Sequence, residues 1–340
     1  MAILCDFNWL ALMDLYELTN EQIRQQVDAQ QLYRAWRQAA VQTWNEHGGQ
    51  YAAIASWRKI AGKEYLVLRT RGIRKHIGPR SKETEAYAKR YSAERDRIIA
   101  TQGATYAELK RMAPVNRALQ LGRMPNLLAD IIRKLDEFGF LGTKATVIGT
   151  NALYAYEAMA GVHIRPALLE TSDADILWDA SQTLKLAIEN IRPPSMIALL
   201  QKVDRSFAIG DYGIAARNKT GFIVELISPK ADAQPEATGL GVHDLEVTPY
   251  SNMEGLLSLP RFEAIPIDRS GFPFRIVVPD IRAFTLHKMW TSKQLSRQPE
   301  KRRRDAAQAK MLANLTENVL GLSLNEAEMA SIPKYLLSTS

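Results

Sequence analysis

The chain has 340 residues, 46% of them hydrophobic and 24% charged, which is too apolar for a disordered chain and sufficient for sizeable cores. At about 150 residues per domain, this length suggests roughly two domains. A single cysteine, Cys5, excludes an internal disulfide framework and any zinc site built on paired cysteines.

The net charge of +7 is unevenly spread. Residues 57–82 hold nine Lys/Arg against one acid, Glu64, and residues 288–310 hold eight against two, Glu300 and Asp305. The rest of the chain is therefore net −7, an acidic protein with two basic segments. No stretch approaches the roughly 20 apolar residues of a membrane span. The opening MAILCDFNWLALM has no basic leader and contains Asp6 and Asn8, so a cytoplasmic protein is expected.

Residues 8–45 are expected to be helical, since LALMDLYEL and QLYRAWRQAAVQTW space apolar residues by three to four. Residues 65–71 read as a strand that turns at Gly72, returns over Ile73–Ile77 and ends at Gly78-Pro79. Ser81 then opens a long charged helix running to about Met112, with Thr84 where a capping box prefers Glu. Its sparse apolar face suggests a spacer or arm. Pro114, Gly122 and Pro125 mark a boundary.

From 126 the pattern is compact and mixed. A helix over Asn126–Phe138 ends at Gly139, a buried strand covers Ala145–Ile148, and Gly149-Thr150 leads into a helix over Asn151–Met159. A strand over Ser172–Trp178 follows, then a helix over 181–191 and another to about 202 after Pro193-Pro194. Further strands are expected at Arg205–Ile209, Gly213–Arg217, Phe222–Ile227, Phe262–Ile267 and Phe274–Val278. Everything from Pro279 onward reads as helical. The expected class is α+β. It divides into a helical module with a basic hairpin and long helix (1–125), a core (126–280) and a C-terminal helical region packed on that core (281–340).

The chemistry is concentrated in VIGTNALYAYE, TSDADILWD and GFIVELISP. Residues i and i+2 of a strand face the same way, so Asp173 and Asp175 present two carboxylates about 6–7 Å apart. Like charges this close repel, and the spacing suits carboxylates shared between divalent cations. Gly149-Thr150 stands where a strand enters a helix, a ready phosphate site with free N–H groups and a hydroxyl. Glu225 is one acid in an otherwise apolar strand, either an edge residue or a third metal-facing carboxylate able to take a hydroxyl proton.

A strand ending in Gly-Thr, a helix, an Asp-x-Asp strand and a later strand acid together resemble the polymerase-beta-like nucleotidyltransferase superfamily. GTNALYAYEAMAGV with SDADILWD is similar to a bacterial branch of nucleotidyltransferase-fold proteins, and more distantly to abortive-infection and toxin-type nucleotidyltransferases. The resemblance covers about residues 126–310. It implies a mixed sheet flanked by helices, Gly149 and Thr150 at the phosphates, Asp173 and Asp175 as ligands of Mg²⁺ or Mn²⁺, and Glu225 as third acid. Lys288 in FTLHKMW matches a lysine that binds the triphosphate, and Arg304-Asp305 matches a downstream Arg-Asp element. Two features depart from the pattern: 22 residues separate Thr150 from Asp173, and glutamate stands where aspartate is common.

Other signals carry less. The five histidines show no i, i+3 or i, i+4 pairing, and GFLGTK at 139–144 lacks the spacing and Gly-Lys-Ser/Thr order of a P-loop. Trp178 and Tyr212 suit either core packing or base stacking, and Lys301–Arg304 suits either a solvated helix face or a specific role. In the hairpin, Arg69, Arg71, Arg74, Lys75 and Arg80 are candidates for contact with a nucleic-acid backbone, structured RNA ahead of duplex DNA. Their bland alternative is a solvated hairpin. The function expected is Mg²⁺-dependent transfer of a nucleoside monophosphate from NTP to a hydroxyl, an RNA 3′ end (tRNA or other) before a protein side chain or small molecule. The alternative is a catalytically silent fold that binds nucleic acid or a partner.

Overall fold

The computed structural model describes residues 14–44, 49–70, 73–179, 195–210, 213–229, 244–250, 252–324 and 331–337. Cys5, His47, Arg71, Tyr212, His243 and the helix expected over 181–191 fall outside them.

The described chain begins with a strand, β1 (Leu15–Glu17), where helix was expected. It pairs antiparallel with Val162–Ile164, and over three residues such a partner outweighs helical spacing. Helix α1 (Asn20–Thr43) follows, opened by a reciprocal capping box between Thr19 and Gln22. The expected hairpin has a third strand: β2 (Ile54–Ile60), β3 (Lys63–Thr70) and β4 (Ile73–Pro79) form one antiparallel sheet in that order. The β2–β3 turn is Ala61-Gly62, both at positive φ, the geometry that matches strand twist in a two-residue hairpin.

Helix α2 (Lys82–Ala118) starts from a capping box in which the Thr84 hydroxyl does the work expected of Glu. It continues through Pro114, past the expected end near Met112. Just beyond the proline, buried Asn116 donates to the Gly271 carbonyl and accepts from Gln25, each at 2.8 Å. These tertiary bonds offset the intrahelical bond that proline removes. Nor is α2 a free arm. It runs antiparallel to α1, with Gln22 bonded to the Leu119 carbonyl and Thr43 to Gln102, and it buries Tyr91, Ile98, Leu109 and Ala113.

The mixed sheet follows, its elements being β5 (Gly122–Met124), α3 (Asn126–Glu137), β6 (Ala145–Val147), α4 (Leu153–Ala160), β7 (Val162–Ile164), β8 (Asp173–Trp178), α5 (Met196–Val203), β9 (Ala208–Ile209), β10 (Ala215–Arg217), β11 (Ile223–Ser228) and β12 (Val247–Pro249). Six strands join in the order β6-β8-β11-β10-β9, with β12 on β11 beyond the end of β10. β8, β11 and β12 are parallel, while β6 and β10 run against them. The fold is thus α+β with a mixed sheet. Strand β9 is shorter than expected because Asp204 draws the Ser206 N–H and hydroxyl into a turn.

The expected strand over 262–267 is two: β13 (Phe262–Ala264) pairs with β15 (Ile276–Val278), whereas β14 (Ile267–Asp268) pairs with β5. Pro266, with no N–H for a ladder, lies at the break. The C-terminal part is not continuously helical. α6 (Ile281–Ser292) and α7 (Pro299–Asn314) are separated by a loop, α7 runs into a π-helical turn at Leu315–Val319, and α8 covers Lys334–Leu337.

Helix α3 buries Leu128, Ile131, Ile132 and Leu135 in a core shared with Phe140 and Trp178, whose rings lie 5.2 Å apart. Each such side chain contributes about 1.5–3 kcal/mol by leaving water. Trp178 is therefore core. The α1–α2 pair is fastened to this body through Asp136 at the end of α3, which accepts from Arg37 of α1 and from Arg275, both at 2.7 Å.

Candidate active site

Strand β8 puts Asp173 and Asp175 on one face of the sheet, and Ala174, Ile176 and Trp178 on the other, buried face. In the parallel ladder, Glu225 of β11 stands opposite Asp175, and Ile223 opposite Asp173. Glu225 therefore shares the face of the two aspartates, in a central strand and not at an edge. All three carboxylates are partly buried.

Their charges act on one another. Burial, then the Asp173 and Glu225 charges, push Asp175 up to about 6, against the pull of Lys288 and Lys301. Burial and Asp173 also raise Glu225, with Lys301 opposing. Asp175 thus titrates close to neutrality, where a cation would hold it ionised. Asp173 is fixed from both ends: the Thr171 hydroxyl donates to its carboxylate, and Asn151 Nδ2 donates to its carbonyl at 2.7 Å.

Beneath Asp175 lies the turn after β6. Gly149 has φ +66°, and an added Cβ there would overlap Asp175 Oδ2 and lie 3.2 Å from its Cγ. Glycine is needed on both grounds: left-handed backbone and closeness of the carboxylate. Gly149–Ala152 form a 3₁₀ turn before α4 begins at Leu153, so the helix starts later than expected. The Ile148 N–H donates to the Asp175 carbonyl at 3.0 Å, locking turn and strand together.

Two expected phosphate contacts are engaged internally. The Thr150 hydroxyl is buried and accepts from Gln308 Nε2 of α7 at 3.3 Å, and the same Nε2 donates to the Leu168 carbonyl at 2.8 Å. Lys288 is buried, its Nζ 2.8 Å from Asp305 Oδ1, and Arg297 pairs with the other oxygen of Asp305. Burial lowers the Lys288 pKa, Asp305 opposes this, and the Lys288 charge holds Asp305 below the usual carboxylate range. Both members of that pair were singled out from sequence, but their bond was not.

Lys301, exposed on α7 in the run that sequence left between a solvated face and a specific role, acts electrostatically on Asp175 and Glu225. Other residues at this site were not found from sequence. The Tyr250 phenol is raised by burial and by the Glu225 and Asp175 charges. Asn151, Thr171 and Gln308 position groups without any motif to announce them. The donor set of three carboxylates is hard oxygen, as Mg²⁺ or Mn²⁺ prefers. Among the described residues, however, no group of three or more His, Cys, Asp or Glu is placed to hold a metal ion.

The basic candidates are distributed differently. Arg69, Arg74 and Lys75 are exposed, with Arg69 directly across the ladder from Arg74. Arg80 pairs with Glu64 and Glu85, each at 2.6 Å, and lies over the Trp57 ring. Its guanidinium is committed within the protein.

A family model described as nucleotidyltransferase matches residues 126–332, more than half of the chain. The chain belongs to this nucleotidyltransferase family, whose general chemistry is transfer of a nucleoside monophosphate. Comparison with curated proteins and with solved structures returned no match. Among the described residues, no helix is long and apolar enough to cross a membrane.

Proposed function

We propose that the chain is a polymerase-beta-like nucleotidyltransferase that transfers NMP from NTP to a hydroxyl acceptor, an RNA 3′ end before a protein or small molecule. The observation supporting this reading is the register that sets Glu225 beside Asp175, on the face that also carries Asp173. Asp173, Asp175 and Glu225 would have to draw closer than they stand in this structure to hold Mg²⁺ or Mn²⁺, which when bound screens the carboxylates and draws charge from the phosphate oxygens. The open side of the Gly149 turn receives the triphosphate. Glu225 takes the proton of the attacking hydroxyl. The new oxygen–phosphorus bond forms as the bond from the α-phosphorus to the bridging oxygen breaks, and pyrophosphate leaves.

The exposed Arg69, Arg74 and Lys75 favour RNA as acceptor, because like charges facing across a ladder repel until an anion lies between them. Arg71 belongs to the same proposal, and Arg80 enters it only by shaping the sheet. A second reading has one observation in its favour. Thr150 and Lys288 are both satisfied internally, as in a silent fold that binds RNA without reacting.

Incubation with each labelled NTP, Mg²⁺ and total RNA separates the two. The first reading expects labelled RNA from the wild type and none from Asp173→Ala or Asp175→Ala. Full labelling by those variants, or none by the wild type with either metal ion, sinks it.

A further inference from the structure

Helix α7 meets the carboxylate site along one stripe. Lys301, Asp305 and Gln308 stand at i, i+4 and i+7, which brings them to the same side of the helix. Contacts place two of the three. Gln308 Nε2 reaches the Thr150 hydroxyl at 3.3 Å, and Asp305 takes Lys288 at 2.8 Å. Lys301 continues the stripe two turns from Gln308, about 10 Å along the axis. The stripe thus runs from buried Gln308 and Asp305, beside the turn that touches Asp175, to an exposed lysine. Arg302 and Arg303 fall outside it.

The other cations near the site are committed. Lys288 Nζ is bonded to Asp305, lies 5.5 Å from the Phe284 ring centre and belongs to a side chain only 5% exposed, so its charge ends inside the protein. Arg297 pairs with the second oxygen of Asp305, and Arg304 Nη1 donates to the Glu170 carbonyl at 3.3 Å. Lys301 makes no hydrogen bond or ion pair among the described residues, yet its charge acts on both Asp175 and Glu225. An ammonium within range of two acids that bonds neither is available to an anion that enters with its own cation.

We propose that Lys301, and not Lys288, is the side chain that grips the triphosphate of the incoming NTP, and that Lys288 is a positioning residue that holds α7 in place through Asp305. The proposal deepens the transfer reading above and rests on it. A triphosphate is an extended polyanion, so one contact at the Gly149 turn and a second at Lys301 would fix its direction as well as neutralise its charge. Lysine suits the task as a flexible point charge with three donors. The role that the sequence pattern gave to Lys288 is then met thirteen residues further along the chain.

The test measures binding alone, with Mg²⁺ and without RNA. Calorimetry compares each NTP with its own NMP. For the NTP bound most tightly, Lys301→Ala should weaken affinity about tenfold, the worth of one charge-assisted hydrogen bond, and leave its NMP nearly unaffected. Lys301→Arg should keep the affinity, and Lys288→Met/Asp305→Leu should lose less than Lys301→Ala. A lysine that only screens the acids behaves otherwise: its removal tightens Mg²⁺ binding and leaves the preference for NTP over NMP as it was. That unchanged preference in Lys301→Ala overturns the proposal, as does a larger loss in a folded Lys288→Met/Asp305→Leu protein. NTP binding that depends on Lys301, with no NMP transfer, would count against the catalytic reading and leave the contact standing. Transfer by a Lys301→Ala protein of full NTP affinity would do the reverse. A wild type that binds no NTP sinks both.

Discussion

Gly149→Ala tests the architecture of the carboxylate site at a single atom. Two effects add. The residue has φ +66°, where an L side chain costs about 1–2 kcal/mol. The new methyl group also overlaps Asp175 Oδ2, so the carboxylate must leave its rotamer, at about 0.5–1.5 kcal/mol more. Gly161 provides the control: its φ is +65°, yet nothing lies within 4 Å of an added Cβ. Urea unfolding should therefore show Gly161→Ala losing about 1–2 kcal/mol and Gly149→Ala about 2–3 kcal/mol. Labelled NMP transfer should separate them more sharply. Gly161→Ala should retain activity in conditions where it is folded, and Gly149→Ala should lose at least about tenfold, as a misplaced group at a reacting centre does. Equal stability losses and equal activities in the two variants would refute the claim that Gly149 exists to make room for Asp175.

The acidic cluster also predicts a pH dependence. Because the Asp175 pKa is raised to about 6 from 3.8, its ionisation opposes folding, a penalty fully present above pH 6 and absent below about pH 4. Asp175→Asn should accordingly raise Tm at pH 8, a stabilisation on the order of 3 kcal/mol, and the gain should vanish on titration toward pH 4. In the same scan, Mg²⁺ or Mn²⁺ should raise the Tm of the wild type at pH 8 and leave that of Asp173→Ala/Asp175→Ala unchanged. Asp305→Ala strands the buried Lys288 and should cost about 3–5 kcal/mol in urea unfolding, with Lys288→Met/Asp305→Leu recovering much of it. Charge reversal at Arg69 and Arg74 should flatten the salt dependence of RNA affinity, whereas Arg80→Ala should act mainly on thermal stability.

The sequence was most informative where local pattern and chemistry coincide. Alternation in DADILW and IVELI placed three acids on strands, whereas the closeness of Gly149 to Asp175 was not legible, because it depends on how β6 pairs with β8. The register that brings Glu225 beside Asp175 was not legible, since parallel pairing is decided by the distant chain between the strands. Leu15–Glu17 and β2 were missed because each becomes a strand only through a partner. Pro114 was read as a stop because its local preference is strong. The bonds of Asn116 that override it reach residues 91 and 155 positions away. Lys288 was singled out by its type, but its burial against Asp305 was not legible, because a sequence does not show which cations are buried.

Helix α2 spans 37 residues, about 55 Å, with the basic sheet at one end and Asn116 anchored in the body at the other. A rod fixed in this way sets a constant separation between the basic sheet and the Asn116 anchor. On the proposed reading, an acceptor held by the sheet would be selected by its length as well as by its charge, with no reading of bases at all.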